Sequence, residues 1–104
     1  MDNNFQSLGG NKYLVSTNML VGNTYERMGL DEKAPRGVAS RPWLSVILEN
    51  LGHLPVEDES FLYGDKEITA REFDGATVTH VEIHVLDEED LAARVAEQSE
   101  EVNA

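Results

Sequence analysis

Apolar residues along this chain follow two periods, helical in its first half and alternating in much of its second. From Trp43 to Leu51 they crowd together: Trp43, Leu44, Val46, Ile47, Leu48 and Leu51 leave only Ser45, Glu49 and Asn50 for solvent, which predicts a central core helix. The flanking residues agree with the period. Ser40 offers an N-cap oxygen, Pro42 suits a first turn whose N–H needs no intrahelical partner, and Gly52 stands where a left-handed residue ends a helix.

Before that helix, Lys12 to Ser16, "KYLVS", is β-branched and aromatic enough to predict a strand. Asn18 can cap a short helix from Met19 to Met28, where Val21, Tyr25 and Met28 recur at helical spacing and Gly29 supplies the stop. Gly22 weakens that helix, because glycine has the most backbone freedom to lose. Asp31 to Ser40 mixes charge with Pro35 and Gly37 and has no period, so it reads as a surface connection.

Beyond Pro55 the period shortens to two. "SFLYG" and "KEITAREF" read as strands separated by Gly64-Asp65, and Asp74-Gly75 is a strong hairpin signal. The strand from Thr77 to Val85 puts Val81, Ile83 and Val85 on one face and His80, Glu82 and His84 on the other; Val78 is out of step, which predicts a bulge near Thr79. Asp87 and Asp90 have capping-box spacing before a helix carrying Leu91, Ala92 and Val95, and "EQSEEVNA" frays into solvent.

The predicted order is therefore β-α-α-β-β-β-α. It describes one α+β domain with a small, mostly antiparallel sheet of about four strands and helices packed on one face. Residues 1–11 read as a flexible lead-in, 12–86 as the folded unit and 87–104 as an acidic helix and tail. A chain of 104 residues supports one modest core.

Charge narrows the function classes. Eight basic against twenty acidic residues give a formal charge of -12, which repels nucleic acid backbones and anionic lipid headgroups. No apolar run approaches the ~20 residues needed to insert in a bilayer, and no secretory signal pattern opens the chain. The absence of cysteine removes disulfides, thiolate metal sites and cysteine nucleophiles. No Gly-x-Ser-x-Gly elbow, phosphate loop or EF-hand spacing is present, so no enzyme activity, no nucleotide site and no cofactor is predicted.

The constellation closest to chemistry is His80, Glu82 and His84 on one strand face, since imidazole and carboxylate both ligate metals. At about 3.3 Å per residue the two histidines stand roughly 13 Å apart, too far to share one ion easily. A two-residue turn at Asp74-Gly75 would pair Phe73 with Ala76, and hence Glu67 with Glu82 and Thr69 with His80, adding Glu67 as a fourth candidate ligand unless a bulge shifts the register. A solvated polar face is the favoured reading of this set, with weak divalent cation binding as the alternative. His53, just past a helix end, suits facing the last carbonyls of that helix.

The ordered signals Tyr13-Leu14-Val15, Gly29-Leu30, Leu48 to Pro55, Tyr63-Gly64, Asp74-Gly75 and Val78, Val81 and Ile83 resemble the CorC/HlyC transporter-associated domain over residues 12 to 85. The chain departs from that pattern at His53, where the family has Arg, at Arg41-Pro42, where it starts the helix with small residues, and at Ala76 and Thr77, where it has basic residues. The resemblance implies a domain on the cytoplasmic side of a membrane protein, following a membrane domain and a CBS pair in magnesium/cobalt efflux or hemolysin-like proteins, or attached to cation/proton antiporters. It also implies a fold similar to part of a FAD-binding domain, an analogy that names no flavin-contacting residue here.

The resemblance makes the leading expectation a non-catalytic regulatory domain, excised from a longer chain at Met1, that modulates ion transport. Its partners would be the parent chain and, as a homodimer, a second copy, met through an exposed apolar patch or an edge strand. A small-ligand or divalent-cation sensor is the alternative. An acidic inhibitor of a basic partner is a further one, although seven acids and one base between Asp87 and Glu101 place much of the charge in a local helix and tail.

Overall fold

The elements run β1 (Phe5–Gly9), β2 (Lys12–Ser16), α1 (Val21–Met28), α2 (Trp43–Leu51), β3 (Ser60–Tyr63), β4 (Lys66–Asp74), β5 (Thr77–Val85) and α3 (Glu88–Asn103) in a computed structural model that describes residues 2–103. The strands form one antiparallel sheet in the order β1-β2-β5-β4-β3. Five strands replace the expected four. The added one, β1, lies in the stretch read as a flexible lead-in.

"FQSLG" gave no strand signal because an edge strand that covers nothing needs no alternation. Only Phe5 of β1 is partly buried, with its ring 5.3 Å from that of Tyr13 and the Arg27 guanidinium 4.7 Å above it. Gly9, Gly10 and Asn11 all have positive φ, which turns the chain tightly into β2.

α1 and α2 bury Val21, Tyr25, Met28, Trp43, Val46 and Ile47 in one cluster with Val15, Ile68, Ala70, Val81 and Ile83 from the sheet. α3 stands outside this cluster. Its Ala92 and Val95 are exposed, and Arg94 reaches Glu67 on the sheet's other face, so the expectation of helices on one face holds for α1 and α2 only.

Neither core helix uses the side-chain cap expected of it. Leu20 and Pro42 sit at the caps in extended conformation and form an antiparallel bridge with each other. Val21 N–H donates to Arg41 O at 2.9 Å, and Trp43 N–H donates to Met19 O at 3.1 Å. Each helix's first N–H is thus satisfied by the other's lead-in backbone, a solution that local sequence cannot reveal. Gly22 has a related role: a Cβ there would lie 3.0 Å from Ala39 O, so its absence lets the 31–40 connection close on α1.

The bulge expected near Thr79 is present, opposite a second irregularity at Arg71. Thr17 holds it in place, its N–H donating to Thr79 O at 2.9 Å and its hydroxyl to Val78 O at 2.9 Å. Thr17→Val keeps the shape and removes the buried hydroxyl bond. It is expected to lower stability by about 1–2 kcal/mol in urea denaturation, and an unchanged midpoint would show that the bulge needs no such tie.

Candidate functional site

β5 presents His80, Glu82 and His84 on the face away from the core because Val81 and Ile83 fill the apolar side. The hairpin pairs Asp74 with Thr77 and Phe73 with Val78, two residues out of step with the expected ladder. Glu67 therefore faces His84 rather than Glu82, Thr69 faces Glu82, and His80 faces Glu72. The like-charge pair expected across the ladder does not form.

Three of the four candidate ligands, Glu67, Glu82 and His80, have neighbours of their own. Arg94 donates to Glu67 at 2.9 Å, and Arg71 reaches Glu82 at 3.5 Å while holding Asp58 at 2.6 Å. His80 Nε2–H donates to Asn3 O at 2.7 Å. Its Nδ1 lies 3.1 Å from the Thr79 hydroxyl and 3.2 Å from Glu72 Oε1, so the neutral ring accepts from Thr79 and the charged ring can donate to Glu72. Among the described residues no group of three His, Asp or Glu is placed to hold a metal ion. The polar face is a set of separate ion pairs.

Sequence reading missed a buried cation. Lys66 is 1% exposed, its ammonium 4.6 Å from the Tyr25 ring centroid and 2.6 Å from both Asp65 Oδ1 and Glu32 Oε1. Burial pulls the ammonium's pKa down, but the hydrogen bonds to Asp65 and Glu32 outweigh it, and the net shift is upward. A lysine held this firmly charged is no amine nucleophile near neutral pH; it ties the 31–40 connection to the sheet. The signal was present in the alternation of β4, which puts Lys66 in phase with the buried Ile68 and Ala70.

His53 does not serve the helix end as expected. Gly52 closes α2 in a left-handed conformation with its N–H on Leu48 O, while His53 Nε2 lies 2.8 Å from Glu59 Oε2. The other Glu59 oxygen accepts from Val56 N–H at 3.1 Å. The Val56 N–H, then His53, hold the Glu59 carboxyl below its usual range. A depressed carboxylate stabilises the fold above its unfolded value of about 4.3 and loses that contribution as pH falls through the lower folded value. In an NMR titration His53→Ala should raise the Glu59 pKa only part-way, because the larger cause remains; a full return to the ordinary value would contradict this geometry.

No family model and no curated protein matches this chain. Its fold does match solved structures. A hemolysin domain from Enterococcus faecalis is 28% identical with a TM-score of 0.64, over 82% of this chain and 100% of that one. A region associated with a Mg2+ and Co2+ transporter (CorC) from Neisseria meningitidis is 17% identical with a TM-score of 0.64, over 81% and 100%. A CorC_HlyC transporter-associated domain from a Xylella fastidiosa hemolysin, in complex with Mg2+ and Mn2+, is 16% identical with a TM-score of 0.64, over 80% and 98%.

This chain has the CorC/HlyC transporter-associated fold. Among the described residues no helix is long and apolar enough to cross a membrane.

Proposed function

We propose that this domain is a non-catalytic regulatory and interaction module of a membrane ion transporter of the magnesium/cobalt efflux or hemolysin-like type, working by docking on the rest of its parent chain. The observation that carries this reading is the match over the whole length of the Enterococcus hemolysin domain and the Neisseria transporter-associated region. The side-chain chemistry is compatible with it: His53, His80, Lys66, Arg71 and Arg94 each meet a carboxylate of the same chain, which favours a scaffold over a reacting centre. An antibody against the domain should detect, in membranes, a longer polypeptide that resists alkaline extraction. Finding only a soluble species of this chain's size would sink the reading.

The Xylella domain's complex with Mg2+ and Mn2+ favours a second reading, a divalent-cation sensor. Glu67, His84 and Glu82 on the polar face are its candidate ligands, with His80 further along β5; a cation would have to displace Arg94 and Arg71. Calorimetric titration with Mg2+, Mn2+, Co2+ and Zn2+ separates the two readings, and flat heats under all four would eliminate the sensor.

A further inference from the structure

The loop from α2 to β3 and the turn of the β4–β5 hairpin bring Leu54, Pro55, Val56, Phe73 and Ala76 around an open hollow of about 420 Å3. Val56 is 68% exposed and Leu54 49%, the two highest values among the large apolar side chains described. Single exposed apolar residues are ordinary, but two on one constrained loop beside an aromatic are not.

The constraint is specific. Glu59 N–H donates to Val56 O at 3.1 Å, and the Glu59 carboxylate accepts from Val56 N–H at 3.1 Å. Asp58 N–H donates to Ala70 O, and Ala70 N–H to Glu59 O, both at 2.9 Å, so the loop is bonded to β4. Asp58 accepts a φ of +69°, a left-handed conformation that costs a non-glycine residue about 1 kcal/mol. A loose loop would let Leu54 and Val56 fold inward; this one holds them out in water.

Charge indicates what would cover them. Among the described residues the only charged one lining the hollow is Glu57, and exposed Asp74 adjoins it next to Gly75 on the hairpin. A second copy would bring the same acids against the same rim, on a chain of net charge -12. An anionic membrane surface is repelled in the same way.

We propose that this hollow docks a basic amphipathic protein segment, with its apolar side chains over Val56, Leu54 and Phe73 and its lysines or arginines against Glu57 and Asp74. The assignment rests on the interaction-module reading and gives it a surface and a partner chemistry.

The test uses the whole chain, isotope-labelled for NMR, with three probes: an amphipathic Lys/Leu peptide, its Glu/Leu counterpart, and phosphatidylcholine vesicles. The Lys/Leu peptide should shift the amides of Leu54, Val56, Glu57 and residues 73–76. Val56→Ser, at an exposed position that leaves the fold intact, should weaken that binding about tenfold, the weight of one buried valine. Glu57→Gln with Asp74→Asn should flatten its salt dependence.

The proposal is overturned if the shifts spread over the acids of α3 and ignore Val56→Ser, or if the Glu/Leu peptide binds equally well. It is equally overturned if only vesicles bind, or if the hollow mediates self-association that Val56→Ser abolishes. A domain that sits in a membrane transporter but fails this test loses the docking surface and keeps the function.

Discussion

Trp43→Ala is expected to lower stability by about 3–5 kcal/mol, the range for deleting a fully buried large aromatic. Trp43 is the largest fully buried side chain, packed edge-on against Tyr63 with ring centroids 5.8 Å apart. Its indole N–H donates to Thr24 Oγ1 at 2.8 Å, joining α2 to α1. Alanine would remove the packing, open a cavity between helices and sheet, and delete that bond. For a domain of this size each kcal/mol shifts the melting temperature by roughly 4–8 °C, so a loss of at least ~12 °C is expected by circular dichroism. Trp43→Phe should lose less, since it keeps an aromatic core residue and leaves Thr24 still donating to Leu20 O. An alanine variant melting within a few degrees of the wild type would show that α2 is not the centre of the core.

Lys66 is the second large effect, and two substitutions there separate charge from packing. Lys66→Ala removes a buried stem beneath Tyr25 as well as the ammonium, and about 2–4 kcal/mol should be lost. Lys66→Met keeps the stem and removes only the charge. Breaking a buried pair is severe when the abandoned partner stays buried. Here the abandoned carboxylates, Asp65 at 42% and Glu32 at 53% side-chain exposure, can hydrate in place. Packing should therefore outweigh charge, with Lys66→Met within about 1 kcal/mol of the wild type in urea denaturation.

The pH dependence follows from the same geometry. The folded value of Lys66 is raised, so its charge contributes fully below the unfolded value of about 10.4 and is lost as pH rises through the higher folded value. The stability difference between wild type and Lys66→Met should be flat through the neutral range and change only in strong alkali. A methionine variant as damaged as the alanine variant would mean that the ion triad, rather than its stem, holds the 31–40 connection.

What the chain disclosed in advance was local. The helix from Trp43 to Leu51, the left-handed stop at Gly52, the alternation of β5 and the out-of-step Val78 each depend on neighbours in sequence, and each appears as read except that Leu48, counted on the core face, is exposed while Ser45 is half-buried. What escaped depends on residues far apart. β1 shows no alternation because it lies at an edge, and the helix caps come from the Leu20–Pro42 bridge. The register missed by two because Gly75-Ala76, rather than Asp74-Gly75, lies between the last paired residues. That offset separated Glu67 from Glu82, and each of these carboxylates meets an arginine instead. Lys66 was readable from its phase in β4, but a lysine in a core phase is easily assigned to solvent until its partners, Glu32 and Asp65, are placed beside it.

The central claim is that this domain modulates ion transport as part of a larger protein. It is tested most directly by measuring cellular efflux of Mg2+ and Co2+ for the native full-length polypeptide and for the same polypeptide lacking residues 12–86, at matched membrane abundance. The account predicts that efflux persists without the domain but with an altered rate or an altered dependence on ion load. Superimposable efflux curves would contradict it.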